Sequence, residues 1–203
     1  MQLNHAKIIV FARAPEKGHV KTRLASVIGE DRALAVYREL LDSVLQKTSG
    51  CGFPVFCYSN KPNHAYFDHW KQQDIAFRQQ AGTDLGERMS NSLQTESSAS
   101  VPVILMGSDC PQLSCETIHS VVDDLDKGKQ VVIVPATDGG YVLIAFAAKI
   151  YTQLFEGINW STDIVLQQTE AKLKLLGLSY SLLEPLLDID TFDDYQDWLR
   201  ISQ

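Results

Sequence analysis

Three aspartates and a cluster of cations are the residues of this 203-residue chain best suited to chemistry. Asp109 lies in Val103 to Pro111, where the apolar run Val-Ile-Leu-Met stops at Gly107-Ser108-Asp109-Cys110-Pro111. A continuous apolar stretch bounded by Gly and Pro predicts a strand buried on both faces, as inside a parallel sheet. Ligands of open parallel sheets bind beyond the carboxyl ends of the strands, so a carboxylate there is placed to hold a cation or a substrate. Aspartate and proline are also ordinary turn residues, and Ser114 with Glu116 can cap the helix that follows. This stretch alone therefore leaves turn and ligand open.

The cations lie upstream. Ala12 to Leu24, Ala-Arg-Ala-Pro-Glu-Lys-Gly-His-Val-Lys-Thr-Arg-Leu, gathers Arg13, Lys17, Lys21 and Arg23 around Pro15 and Gly18. In a chain of formal charge −7 such a cluster makes a local positive site, and backbone N–H groups at a following helix start would add to it. Charge runs are also common solvated surface features. The loop is not a Walker motif, since two residues separate Gly18 from Lys21, where the motif has them adjacent, and the upstream glycine is missing. If Lys21 and Arg23 are helical they point to opposite sides, which puts Lys21 at the phosphates of a nucleotide and makes Arg23 a secondary contact.

The remaining candidates divide by whether a structural duty explains them. In Leu186-Leu-Asp-Ile-Asp-Thr-Phe-Asp-Asp-Tyr195, Thr191 caps a last helix, and Asp193 and Asp194 lie in its first turn. Asp188 and Asp190 have no such duty and project to one side of an extended segment. With Asp109 they would complete a site for Mg2+ or Mn2+, which favour hard oxygen ligands. Asp84 and Glu87 form a near capping box that explains both without a ligand. Asp138, Gly139 and Gly140 allow a close backbone approach to a ligand, although a simple hairpin accounts for them equally well. Trp160 can stack on a base or a sugar, or fill the core. His64 and His69 lack partners and read as surface residues.

Alternating strands and helices must position these side chains. Strands are predicted at Lys7 to Phe11, Phe53 to Ser59, Ile75 to Gln79, within Val103 to Pro111, at Gln130 to Val134 and at Tyr141 to Phe146. Helices are predicted over Asp31 to Thr48, with Leu34, Tyr37, Leu41, Val44 and Leu45 on one face, over His64 to Gln73, after Asp84, and over Ser114 to Lys127. A further helix runs from Ile164 to Leu176, capped by Ser161 or Thr162. Asn91 to Ser100, rich in serine, reads as a loop.

At 45% hydrophobic and 21% charged residues the chain can bury the core of one globular domain, residues 1–203. The net negative charge argues against a nucleic-acid partner, whose phosphates demand a basic surface. Met-Gln-Leu-Asn-His-Ala-Lys lacks the apolar core of a signal peptide and no later run reaches the length of a membrane span, which predicts a cytoplasmic protein. Cys51, Cys57, Cys110 and Cys115 match neither zinc nor Cys-x-x-Cys spacing and are expected as reduced thiols.

Six motifs in order carry a family resemblance: Phe11 to Leu24, Asp84-Leu-Gly-Glu-Arg-Met89, Gly107-Ser-Asp-Cys-Pro111, Asp138-Gly-Gly-Tyr141, Trp160-Ser-Thr162 and Asp188-Ile-Asp-Thr191. The chain resembles the GT-A superfamily of nucleotide-diphospho-sugar transferases and nucleotidylyltransferases, and within it the bacterial glycosyltransferase-like branch linked to arsenosugar biosynthesis. The resemblance implies a Rossmann-like, single-domain α/β/α sandwich of three layers with a mixed, mainly parallel sheet. Ala12, Arg13, Pro15, Gly18, Lys21, Arg23 and Asp84 would bind the nucleotide, with Lys21 and Asp109 catalytic. Asp109 would hold a divalent metal with Asp190 as second ligand and Asp188 beside it, and Asp138, Gly139, Gly140, Tyr141 and Trp160 would line the site of the other substrate. Gly107 and Ser108 stand where the fuller Asp-x-Asp signature has an earlier acid, and Arg13 stands where a lysine is expected.

The expected activity is magnesium-dependent transfer of a glycosyl group from a nucleoside-diphosphate sugar to a small acceptor, with no nucleic-acid or membrane partner. One alternative is a nucleotidylyltransferase joining a nucleoside triphosphate to a phosphorylated acceptor. A second is an inactive nucleotide-binding or regulatory module, in keeping with the departures at Ser108 and Arg13. Both enzymes need a metal and cations to neutralise a departing phosphate group.

Overall fold

Strand β1 (Lys7–Ala12) lies inside a sheet whose other members are β2 (Val55–Ser59), β3 (Ile75–Gln79), β4 (Val103–Gly107), β5 (Val131–Pro135), β6 (Tyr141–Phe146) and β7 (Tyr180–Leu182), with β4 at its centre. A computed structural model describes residues 6–201, so most of the amino-terminal stretch behind the expectation of no signal peptide lies outside it. The seven strands run in the order β3-β2-β1-β4-β6-β5-β7. Only β6 is antiparallel to its neighbours, β4 and β5, so the sheet is mixed and mainly parallel as expected. The register of β1 against β4 sets Phe11 opposite Gly107, which brings the cationic loop beside Ser108 and Asp109.

Side chains alternate across the sheet with the period of two that extended backbone imposes. Ile8, Val10, Ile104 and Met106 face one side, where they pack with Tyr37, Leu41 and Val44 of α2 (Glu30–Ser49) and Ile118 and Val121 of α4 (Cys115–Asp126). Ile9, Val103 and Leu105 face the other, against Met89 and Leu93 of α3 (Leu85–Glu96) and Leu173 of α5 (Val165–Leu175). Helices on both faces bury each central strand twice over, and each such aliphatic side chain contributes roughly 1.5–3 kcal/mol. A third, smaller cluster joins Leu24 of α1 (Thr22–Ile28), Leu40 of α2 and Ile189, with Phe192, Tyr195 and Trp198 of α6 (Phe192–Ile201) packed against it. None of the described helices is long and apolar enough to cross a membrane.

Four local expectations are corrected. Asn91 to Glu96 is helix, not loop: Ser92 donates to the Met89 carbonyl at 2.8 Å and Leu93 is buried, so polar composition there hides a packed turn of α3. His64 to Gln73 is two short 3-10 helices, Ala65–Phe67 and Trp70–Gln73. Neither Ser161 nor Thr162 caps α5, because the chain is not yet helical there: Ser161 is left-handed at φ 63° and the Thr162 hydroxyl donates to the Asn159 carbonyl at 2.6 Å. Finally, Cys51 and Cys115 form a disulfide. Both lie on one face, where Lys47 near the end of α2 also donates to the Pro111 carbonyl, a tertiary proximity that spacing cannot show. Cys57 and Cys110 are free and buried, and burial pushes both thiols up, Cys110 to about 12.

The end of α3 is fixed by a buried charge. Glu96 accepts from the Tyr58 hydroxyl at 2.9 Å and pairs with Arg78 at 2.7 Å. Removing the acceptor takes this buried partner from the Tyr58 hydroxyl and the charge pair from Arg78. Glu96→Ala should cost about 2 kcal/mol in urea unfolding, below the roughly 3–5 kcal/mol of a fully buried pair because Arg78 is half-exposed. A change within about 0.5 kcal/mol would show that this network does not hold α3 to the sheet.

Candidate functional site

The carboxyl ends of β1 and β4 open into a pocket of about 940 Å³. At its floor the ammonium of Lys21 lies 2.9 Å from Asp109 and 3.7 Å from Asp190, and Arg23 reaches Asp190 at 3.0 Å. The Lys21 side chain is only 2% exposed, against 31% for Asp109 and 40% for Asp190. Lys21 and Arg23 thus converge instead of pointing apart. The reason is that Lys21 precedes α1 in the left-handed conformation, φ 48° and ψ 45°, so helical spacing does not apply to it. Burial works against the Lys21 charge, and the fields of Asp109, Asp188 and Asp190 outweigh it, so its pKa is raised.

The two late aspartates are set by the residue between them. Ile189 is fully buried in the third cluster and its N–H donates to the Asp109 carbonyl at 3.1 Å, so extended alternation turns Asp188 and Asp190 to the opposite side, into the pocket. Asp194 accepts from the backbone N–H groups of Asp190 and Thr191, at 3.1 and 2.7 Å, and fixes the turn into α6. Asp188 makes no hydrogen bond or ion pair among the described residues. Its pKa is raised from 3.8 to about 7, by burial first and by the Asp109 charge second, with Lys21 opposing.

Among the described residues no group of three His, Cys, Asp or Glu side chains is disposed to hold a metal ion. The donor chemistry nevertheless fits a hard divalent cation, since three carboxylates surround one positive charge, and here that charge is the Lys21 ammonium. Asp109 and Asp190 are the residues that would hold the ion, with Asp188 beside them.

The loop that carries the cations is tied down by a residue read from the sequence only as apolar. The Tyr37 hydroxyl accepts from the Arg13 N–H at 2.8 Å and donates to the Arg13 carbonyl at 2.9 Å, and it lies 3.5 Å from Ser108. Burial and the nearby Asp109 charge push its pKa up, so it stays a neutral hydroxyl. Asn60 adds a second tie, accepting from the Ala14 N–H at 2.8 Å. The available signal was a tyrosine in an otherwise aliphatic stripe, whose polar tip must find partners when buried. Ala12, Arg13, Lys21 and Arg23 line the pocket. Pro15 and Gly18 do not, and act only on the course of the loop.

On the far wall stand Asp138, Gly140, Tyr141 and Trp160. Asp138 accepts from the Gly140 N–H at 2.9 Å, closing the turn between β5 and β6. Gly139 does not line the pocket. It has φ 92°, and a Cβ there would sit 2.1 Å from the Asp163 carbonyl oxygen, so it lets this turn dock against the segment before α5. Gly86 serves the same purpose for Trp160, since a Cβ would lie 2.8 Å from the indole nitrogen. Asp84 lines the pocket while its carboxylate caps α3, accepting from the Glu87 N–H at 2.8 Å. Arg88, Gln80 and Thr83 also face the cavity and were not singled out by their spacing.

Comparison with known proteins agrees with this architecture. The family model described as "Uncharacterized protein conserved in bacteria (DUF2064)" matches residues 40–162. The crystal structure of a candidate nucleotide-diphospho-sugar transferase from Desulfovibrio desulfuricans G20 is 31% identical, with a TM-score of 0.87, over 98% of this chain and 87% of the other. The chain belongs to this DUF2064 family, and the candidate nucleotide-diphospho-sugar transferase is its relative over nearly the whole length. A nucleotidyl transferase from Methanothermobacter thermautotroptrophicus shares the fold at 14% identity and TM-score 0.64, over 98% of this chain and 99% of the other. So does a 4-diphosphocytidyl-2C-methyl-D-erythritol synthase from Anaerococcus prevotii DSM 20548, at 14% identity and TM-score 0.59, over 98% and 96% of the two chains. No curated protein matches the chain.

The raised pKa of Asp188 has a measurable sign. The folded protein keeps the proton at pH values where the unfolded chain has released it, so the cost of ionising Asp188 grows as pH rises from 3.8 and is complete above about 7. Asp188→Asn, neutral and of the same shape, should therefore stabilise the metal-free protein at pH 8 by about 2 kcal/mol, or roughly 4–8 °C in midpoint, with the gain shrinking toward pH 4. A gain independent of pH would show that Asp188 is not held near neutrality.

Proposed function

We propose that the protein transfers a glycosyl group from a nucleoside-diphosphate sugar to a small acceptor, with Mg2+ or Mn2+ as cofactor. The observation that carries this reading is the cluster of Lys21, Asp109 and Asp190 at the carboxyl end of β4, on the floor of a pocket of about 940 Å³. That volume suits a ligand of nucleotide-sugar size. Breaking the bond from the anomeric carbon to the diphosphate puts negative charge on the departing nucleotide, and Lys21, Arg23 and Arg13 are the cations that can meet it. A divalent ion, when bound, adds Lewis-acid stabilisation of the same charge. Trp160 offers an aromatic face to the sugar or the acceptor, and the Asp138 turn faces it from the same wall. Tyr37 and Asn60 keep the loop in register with Asp109, so its backbone need not be ordered at each binding event.

A second reading is nucleotidylyl transfer, in which a phosphorylated acceptor attacks a nucleoside triphosphate and pyrophosphate leaves. It is favoured by the three cations, Arg13, Lys21 and Arg23, that the first loop brings to the pocket.

A thermal-shift panel separates the two. A ligand at a hundred times its dissociation constant stabilises the folded state by roughly 2.7 kcal/mol, and each kcal/mol moves the midpoint of a chain this size by about 2–4 °C. At least one nucleoside-diphosphate sugar should raise the midpoint by several degrees, only with Mg2+, and Asp109→Asn should abolish that shift while circular dichroism shows an unchanged fold. A response to triphosphates alone would select the second reading, and no response to any nucleotide at millimolar concentration would contradict both.

A further inference from the structure

The state of Lys21 points to a regulation of the site, and the argument rests on the metal-dependent reading just given. Its ammonium is almost wholly buried and lies between Asp109 at 2.9 Å and Asp190 at 3.7 Å, with Asp188 adding to the negative field. In this arrangement its charge is spent on carboxylates and does not face an incoming phosphate. Its backbone is held in the left-handed region at φ 48°, which costs a non-glycine residue of order 1–2 kcal/mol, and no side-chain cap compensates. Its ion pairs with Asp109 and Asp190 are the side-chain contacts that offset this cost. The carboxylates that hold it are also those suited to a hard cation. A divalent ion attracts a carboxylate about twice as strongly as an ammonium at the same distance, and the two cations repel one another inside one cluster.

We propose that Lys21 is the resting counter-ion of this site: a divalent cation displaces its ammonium from Asp109 and Asp190, and the freed ammonium becomes the phosphate-binding group. The metal-free protein is then self-blocked at Lys21. Metal and nucleotide bind with positive coupling, because each takes a partner that the Lys21 to Asp109 ion pair otherwise occupies, and by linkage each raises the affinity for the other. Arg23, exposed and already paired with Asp190 at 3.0 Å, cannot block the site in the same way, since its charge remains open to solvent.

The test measures Mn2+ binding without nucleotide, by electron paramagnetic resonance, in the wild-type protein and in Lys21→Met. The variant removes the competing charge and keeps a side chain of similar length, so it should bind Mn2+ at least about tenfold more tightly. Equal or weaker affinity in the variant overturns the exchange, as does Mn2+ bound by neither protein. The dependence of nucleotide binding on Asp109 and Mg2+ is measured separately and can stand when the exchange fails. Because Lys21→Met leaves carboxylates uncompensated and can destabilise the fold, a second measurement uses the wild-type chain alone. Amine-reactive labelling followed by peptide mapping should find Lys21 protected without metal and labelled several times faster at millimolar Mn2+. Unchanged protection at a concentration where Mn2+ binds would also overturn the proposal.

Discussion

The ion pair between Lys21 and Asp109 is the contact on which the site depends. Three carboxylates brought together in a half-buried floor repel one another, and each loses hydration that must be replaced. A buried ammonium supplies the opposite charge, and the surrounding fold sets the loop that carries it beside the carboxylates. Tyr37 grips the backbone of Arg13 on one side of the loop, Asn60 grips Ala14, and Ile189 anchors the segment that presents Asp188 and Asp190. None of these three touches the ammonium. All of them fix the distance between the cationic loop and the carboxylates.

The topology explains why these pieces meet. Parallel pairing of β1 with β4 sets two strand ends side by side, so the loop after Ala12 and the turn after Gly107 emerge together. The one antiparallel strand, β6, enters the sheet beside β4 with its amino end at the same edge, which delivers the Asp138 turn and Tyr141 to the opposite wall. The last segment then crosses over the top, with the Leu186 N–H on the Pro135 carbonyl and the Ile189 N–H on the Asp109 carbonyl. A pocket with charge on one wall and an aromatic residue on the other follows from this order of strands.

Much of this was legible in the sequence because the signals were local. A β-branched apolar run marked β1, an uninterrupted apolar run marked β4, and the lack of a capping duty for Asp188 and Asp190 separated them from Asp193 and Asp194. What was not legible depended on partners far along the chain. The disulfide between Cys51 and Cys115 follows from two helix ends meeting on one face, and Tyr37 reads as one more apolar residue until the backbone of Arg13 is placed above it. The last turn of α3 was hidden because Glu96 is buried against Tyr58 and Arg78, which polar composition cannot foretell. The convergence of Lys21 and Arg23 was missed for a conformational reason: a left-handed residue before a helix breaks the rule that places positions two apart on opposite faces.

The central claim is that the pocket between the Lys21 to Asp109 cluster and the Asp138 turn holds a metal-bound nucleotide sugar. A crystal structure with Mn2+ and a nucleoside-diphosphate sugar, collected for anomalous scattering, tests it most directly. The account predicts a manganese peak within coordinating distance of Asp109 and Asp190, with the diphosphate beside Lys21. A nucleotide bound outside this pocket, or a manganese peak remote from both aspartates, would contradict it.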